Sequence, residues 1–202
     1  MTQVLLATRN AKKLGELRRI LVAEGIAGVQ VLGLSDVDEF EEAPETEPTF
    51  EGNALAKARD AAAATGLPAI ADDSGLAVDA LNGMPGVLSA RWSGRHGDDV
   101  ANLELLLGQL GDVPDERRGG GFVCAAALVL PGGEETVVRG DWRGVIVREP
   151  RGANGFGYDP VFVPEGGSRT SAELDAAEKD GLSHRGRALR ALLPRLRALA
   201  EG

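Results

Sequence analysis

Asp72 and Asp73 stand side by side between two apolar stretches, Ala69-Ile70-Ala71 and Gly75-Leu76-Ala77-Val78. Adjacent carboxylates repel unless a cation or hydrogen bonds compensate, and these flanks make full solvation hard to arrange. Oxygen ligands of this type suit Mg²⁺, which keeps several waters and takes other ligands from substrate phosphates. The pair could equally supply a general base, and a solvated Asp-Asp turn is the ordinary alternative. An acidic, proline-broken loop over 36–49 offers further oxygen ligands, most of them plain surface charge. Glu45 is the foremost, since it precedes Thr46 and the helix led by Thr49-Phe50-Glu51-Gly52-Asn53. Lys57 lies one turn after Asn53 on that helix, so both can face one site.

Two helix starts carry the wrong charge. Val4-Leu5-Leu6-Ala7 runs through Thr8-Arg9-Asn10 into Ala11-Lys12-Lys13-Leu14. A helix N-terminus bears about half a positive charge, so acids are expected there, not Arg9, Lys12 and Lys13. A polyphosphate docked at that end would account for them; a solvated turn is the alternative. Ser183, a good N-cap, precedes a second basic first turn containing His184, Arg185 and Arg187, with Lys179 just upstream. His184 also suits a capping or packing role. Gly155-Phe156-Gly157-Tyr158-Asp159-Pro160 places two aromatics in a glycine-rich loop of a chain that is only 4% aromatic. Glycines let backbone approach a ligand, an aromatic face can stack on a nucleobase, and Asp159 can accept from base N–H groups. The alternative is a tight turn with Phe156 in the core.

The elements that must position these residues alternate. Residues 3–7 read as a strand, 11–24 as an amphipathic helix closed by Gly25, and 29–32 as a second strand. An alanine-rich helix spans about 50–65 and ends at Gly66. Leu67 to Ala71 read as a short strand stopping at Asp72-Asp73-Ser74-Gly75, with extended structure resuming over Leu76 to Ala80. The stretch 82–97 is irregular, and a helix follows near 98–110. Residues 121–130 and 134–147 form a hairpin turning at Pro131-Gly132-Gly133, and helices fall near 171–179 and 184–200. Pro194 should bend or break the last. Parallel-type βα units ahead of a long hairpin predict an α/β protein with a mixed sheet flanked by helices, in one functional unit over 1–202.

Composition narrows the function. A net charge of −9 argues against a generic nucleic-acid surface and leaves the local basic clusters for a small anion. The single cysteine, Cys124, lies in an apolar run and reads as a buried structural thiol. No apolar stretch reaches the roughly 18–20 residues needed to cross a bilayer, and charge follows the first strand at once, so the cytoplasm is expected. Phosphate-binding helix ends, a hard-cation site and a base platform suit a nucleoside triphosphate with Mg²⁺. The Walker lysine loop is absent, as is a dinucleotide glycine fingerprint after the first strand, which excludes the common NTPase and dinucleotide sites.

Thr8-Arg9-Asn10-Ala11-Lys12-Lys13, Phe50-Glu51-Gly52-Asn53-Ala54, Ala71-Asp72-Asp73-Ser74-Gly75-Leu76, Gly155 to Pro160 and Ser183-His184-Arg185-Gly186 occur in a familiar order and spacing. Over residues 1 to about 198 the chain resembles the inosine/xanthosine triphosphate pyrophosphatases. The resemblance implies Mg²⁺-dependent hydrolysis of dITP, ITP and XTP to the monophosphate and pyrophosphate, which cleanses the nucleotide pool. It also implies an elongated sheet in two lobes with the site in the cleft between them, and a homodimer. By motif, Thr8, Asn10 and Lys13 would hold the triphosphate, and Arg9, where many relatives have Gly, would add a phosphate contact or face solvent. Asp73 would be base and metal ligand, with Glu45 the second carboxylate and Glu42 or Glu47 the alternatives. Asp72 and Lys57 would support that centre. Ser74, Phe156, Gly157, Tyr158, Asp159, Lys179, His184 and Arg185 would line the nucleoside pocket. Two other outcomes suit the same residues: a metal-dependent phosphatase releasing orthophosphate, and a nucleotide sensor without turnover.

Overall fold

A computed structural model describes residues 1–41 and 44–201. Six strands form one sheet in the order β2-β1-β3-β4-β5-β6: β1 (Thr2–Leu6), β2 (Val29–Leu32), β3 (Ala69–Val78), β4 (Gly119–Val129), β5 (Glu135–Ile146) and β6 (Phe162–Pro164). The helices are α1 (Ala11–Ala23), α2 (Phe50–Thr65), α3 (Asp99–Gln109), α4 (Ala176–Leu182) and α5 (His184–Glu201). The chain forms two compact units. One comprises Met1–Asp73, Cys124–Gly140 and Arg185–Gly202; the other comprises Ser74–Val123 and Asp141–His184.

In the first unit β1 pairs parallel with β2, Thr2 opposite Val29 through Leu5 opposite Leu32, and parallel with β3, Leu5 opposite Ala69. Parallel neighbours need a crossover, which α1 and α2 supply. Asn10 caps α1 by accepting from the Lys12 amide, and Gly25 follows its end at φ +65°. Leu17, Ile20 and Leu21 of α1 and Leu189, Leu192, Leu193 and Leu196 of α5 pack with Val4, Leu6, Ile70, Cys124 and Leu128 into one core. Thr49 caps α2 through the Gly52 amide and Gly66 ends it in the left-handed conformation, as its sequence predicts. Its buried face is Ala54, Ala58, Ala61 and Ala62, small enough for close approach.

The second unit is built around Leu76, Val78, Leu106, Phe122, Trp142, Ile146 and Phe162. Phe122 and Trp142 both meet the Phe162 ring edge to face, with centroids 4.9 and 5.3 Å away. β5 pairs antiparallel with β6, and a Cβ at Gly144 would collide with the Val163 carbonyl, so only glycine lets β6 dock there. The Arg118 guanidinium is buried and donates to the carbonyls of Leu110 (2.6 Å) and Ile146 (2.8 Å), joining the end of α3 to that of β5.

Three expectations need correction. The two short strands predicted on either side of Asp72-Asp73-Ser74-Gly75 are one ten-residue strand, β3, that runs through the acidic pair. The carboxylates are partnered within the fold, so the polar pair does not force the chain into a loop. Pro194 lies inside α5, which continues unbroken. The buried Leu192, Leu193 and Leu196 around it hold the helix where one missing amide bond would otherwise end it. The helix predicted near 171–179 is a 3₁₀ turn over Ser171–Glu173 followed by α4, which Asp175 caps by accepting from the Glu178 amide. Among the described residues no helix is long and apolar enough to cross a membrane.

Candidate active site

Asp72 is the hub of the first unit. Its side chain is 2% exposed, and its Oδ2 accepts from Lys13 Nζ at 2.8 Å and from Arg185 Nε at 3.2 Å. Arg185 also donates to Glu16 Oε2 at 3.3 Å. Burial alone would raise the Asp72 pKa, but Lys13, Arg185 and Lys57 outweigh it and hold the carboxyl well below its usual range. Asp72 is therefore an ionised anchor for cations. Cys124 Sγ lies 3.9 Å from the same oxygen; burial, then the Asp72 charge, push its thiol up, so it is the inert structural cysteine expected.

Successive residues of a strand point to opposite faces, so the neighbouring carboxylate sees another environment. Asp73 Oδ2 accepts from Asn53 Nδ2 of α2 at 2.9 Å, and Asn53 in turn accepts from the Glu47 amide at 3.0 Å. Burial pushes the Asp73 pKa up, against the opposing pull of Lys57, the Asn53 bond and Lys13. Lys57 Nζ donates to Glu45 Oε1 at 2.9 Å and to the Asp72 carbonyl at 2.8 Å. Burial disfavours its charge, yet Asp72, Asp73 and Glu45 together raise its pKa, and it stays an ammonium. Lys57 therefore interacts with both Asp73 and Glu45, as the helical spacing from Asn53 allows. Glu42 lies outside the described residues.

Among the described residues no group of three or more His, Cys, Asp or Glu side chains is spaced to hold a metal. Asp73 and Glu45, which both act on Lys57, are oxygen donors of the kind a hard divalent cation takes, and two carboxylates fall short of a zinc or calcium cage.

At the start of α1, Thr8 Oγ1 accepts from the Asn10 amide at 3.2 Å and Asn10 Oδ1 from the Lys12 amide at 2.9 Å. A pocket of about 360 Å³ opens there, lined by Thr8, Arg9, Asn10, Leu14, Leu34 and Phe40 among others. Arg9 is exposed. Of the cations at the two basic helix starts, Lys13 and Arg185 share one carboxylate oxygen on β3.

The remaining candidates belong to the second unit. Ser74 follows Asp73 on β3. Asp159 is buried; its Oδ2 accepts from the Phe156 amide at 2.9 Å and pairs with Lys179 Nζ. Lys179 Nζ also sits 5.5 Å from the centre of the Phe156 ring, and Phe156 is 42% exposed, so it is not tucked into the core. Tyr158 is buried and donates its hydroxyl to the Ser89 carbonyl at 2.8 Å. The Gly157 amide donates to Asp99 Oδ2 at 2.9 Å. His184 stacks on Phe122, with centroids 4.9 Å apart and planes 14° from parallel.

Sequence reasoning alone did not select Glu16, Ser171 or Asp99. Glu16 had a signal: it follows Lys13 by three residues and borders the apolar stripe of α1, where an acid needs a partner. Ser171 and Asp99 had none, because their partners lie 12 and 58 residues away.

Comparison with known proteins places the chain in a family. The Ham1 family model matches residues 4–195. A dITP/XTP pyrophosphatase of Nocardia farcinica is 72% identical over 201 residues, covering 100% of this chain and 98% of that protein. The crystal structure of a nucleoside-triphosphatase / dITP/XTP pyrophosphatase from Mycobacterium abscessus is 65% identical, with TM-score 0.79, over 96% of this chain and 100% of that one. A HAM1 protein structure from Coxiella burnetii, 40% identical, reaches TM-score 0.87 with both chains fully covered. With the mixed six-stranded sheet and near-complete coverage in every case, this chain belongs to the Ham1 family.

Proposed function

We propose that this chain hydrolyses the non-standard purine nucleoside triphosphates dITP, ITP and XTP to the monophosphate and pyrophosphate, acting as one pyrophosphatase domain over residues 1–202. The observation that carries the reading is the split between neighbouring carboxylates. Asp72 accepts from Lys13 and Arg185 while Asp73, on the other face of β3, accepts from Asn53, so one carboxylate anchors cations and the other stands apart from that anchor; the opposite directions of their pKa shifts agree with this.

In the proposed mechanism Thr8, Asn10 and Lys13 receive the triphosphate at the α1 N-terminus, where helix polarity favours anions. Asp73 orients a water and accepts its proton as the oxygen attacks the α-phosphorus and pyrophosphate leaves. Asp73 and Glu45 would hold the Mg²⁺, which supplies charge neutralisation on the phosphate oxygens when bound. Asp72 and Lys57 keep the cationic side chains in register around that centre. Ser74, Phe156, Gly157, Tyr158, Asp159, Lys179, His184 and Arg185 form the nucleoside side. Hypoxanthine and xanthine present a 6-keto acceptor where adenine presents an amino donor. Donors placed for the keto oxygen are left unpaired by ATP, a mismatch worth up to roughly 10⁴-fold. The homodimer implied by the resemblance and the cytoplasmic placement expected from the sequence complete the proposal.

The test is a panel of triphosphates assayed for orthophosphate with and without added inorganic pyrophosphatase. dITP, ITP and XTP should give signal only with the helper enzyme, ATP should lag by orders of magnitude, and EDTA should abolish turnover. Orthophosphate without the helper would make the chain a phosphatase; tight ITP binding with no product would make it a sensor.

A further inference from the structure

The loop carrying Phe156 is set by two groups to which the proposed mechanism gives no task. Gly155 and Gly157 both adopt positive φ, +78° and +61°, so the segment has wide backbone freedom of its own. A Cβ at Gly155 would collide with the Asp159 carboxylate, so the loop closes directly around that group. Both oxygens of that carboxylate have partners inside the protein. Its Oδ2 takes the Phe156 amide and Lys179, and its Oδ1 takes the Ser171 hydroxyl at 2.6 Å. Ser171 is 0% exposed and sits in a 3₁₀ turn locked by the reciprocal Thr170–Glu173 cap. Asn154 ties the loop to the same turn through the Ala172 and Leu174 carbonyls, both at 3.0 Å. From the other side Asp99, in the first turn of α3, accepts from the Gly157 amide.

We propose that Ser171 and Asp99 are positioning residues for nucleobase recognition. Ser171 fixes the Asp159 carboxylate and Asp99 fixes the Gly157 amide, so that the exposed Phe156 ring and the Lys179 ammonium beside it are held ready as a platform for a purine. Asp159 then acts as the post on which the loop is built. Ordering a two-glycine loop during folding removes that cost from ligand binding. The inference rests on the proposed function for the identity of the ligand.

Ser171→Ala, Asp99→Ala and Asp99→Asn separate the possibilities. Affinity for dIMP and for inorganic tripolyphosphate is measured by calorimetry, with KM and kcat for dITP. Ser171→Ala and Asp99→Ala should weaken dIMP binding and raise the dITP KM about five- to tenfold, the worth of one hydrogen bond. Their kcat should stay within twofold and their tripolyphosphate affinity should not change. Asp99→Asn, which keeps an acceptor for Gly157, should behave as wild type. Unchanged dIMP affinity in both alanine variants would overturn the proposal, as would an equal loss for tripolyphosphate. Asp99 is exposed, so its variants decide the matter even if Ser171→Ala misfolds. A wild-type protein that releases no pyrophosphate from dITP would sink the proposed activity alone, because the dIMP affinities still judge the platform.

Discussion

The Asp73→Asn protein is expected to fold normally and to hydrolyse dITP about 10² to 10⁴ times more slowly, the usual span for loss of a general base. Asparagine has nearly the same shape and keeps an oxygen to accept from Asn53 Nδ2, so the α2 contact survives. Stability should hold or rise. The Asp73 pKa is raised in the fold, first by burial, so the ionised form is disfavoured there. A raised carboxylate costs stability above its folded pKa and recovers it as pH falls, and a neutral amide removes that cost at neutral pH. Single-turnover kinetics beside a thermal melt check both halves. A rate within tenfold of wild type would remove Asp73 from the reaction.

The Asp72→Asn protein should behave in the opposite way. Lys13 and Arg185 would lose the anion they share, while the buried guanidinium keeps its ion pair with Glu16. Breaking a buried pair by removing one member costs about 3–5 kcal/mol, a fall in Tm on the order of 10 °C for a chain of this size. Activity should fall with it, because Lys13 would no longer be held. The pH dependence follows from a pKa depressed in the fold. The Asp72 contribution is fully present above the ordinary carboxylate value of about 4 and is lost as pH falls through the lower folded value. The stability gap between wild type and Asp72→Asn should therefore be constant from mildly acid to neutral pH and narrow below about pH 4. Denaturant melts across that range test it; a gap of the same size at pH 2–3, or none at pH 7, would contradict the anchor role.

Local signals determined much of this protein without any coordinates. The α2 boundaries follow from the Thr49 cap and Gly66, and the long hairpin from apolar runs around Pro131-Gly132-Gly133. The motif order carried the family, and the pairing of Asn53 with Lys57 placed both beside the acidic pair. Tertiary structure alone decided what surrounds each member of that pair. In β3 the two side chains leave on opposite faces, Asp72 toward Lys13 and Arg185 and Asp73 toward Asn53. Arg185 is 113 residues from Asp72 and Asn53 is 20 from Asp73. Periodicity reports which residues share a face of one element, but the charge and burial that tune a carboxylate come from elements brought alongside by folding, and no local pattern encodes them.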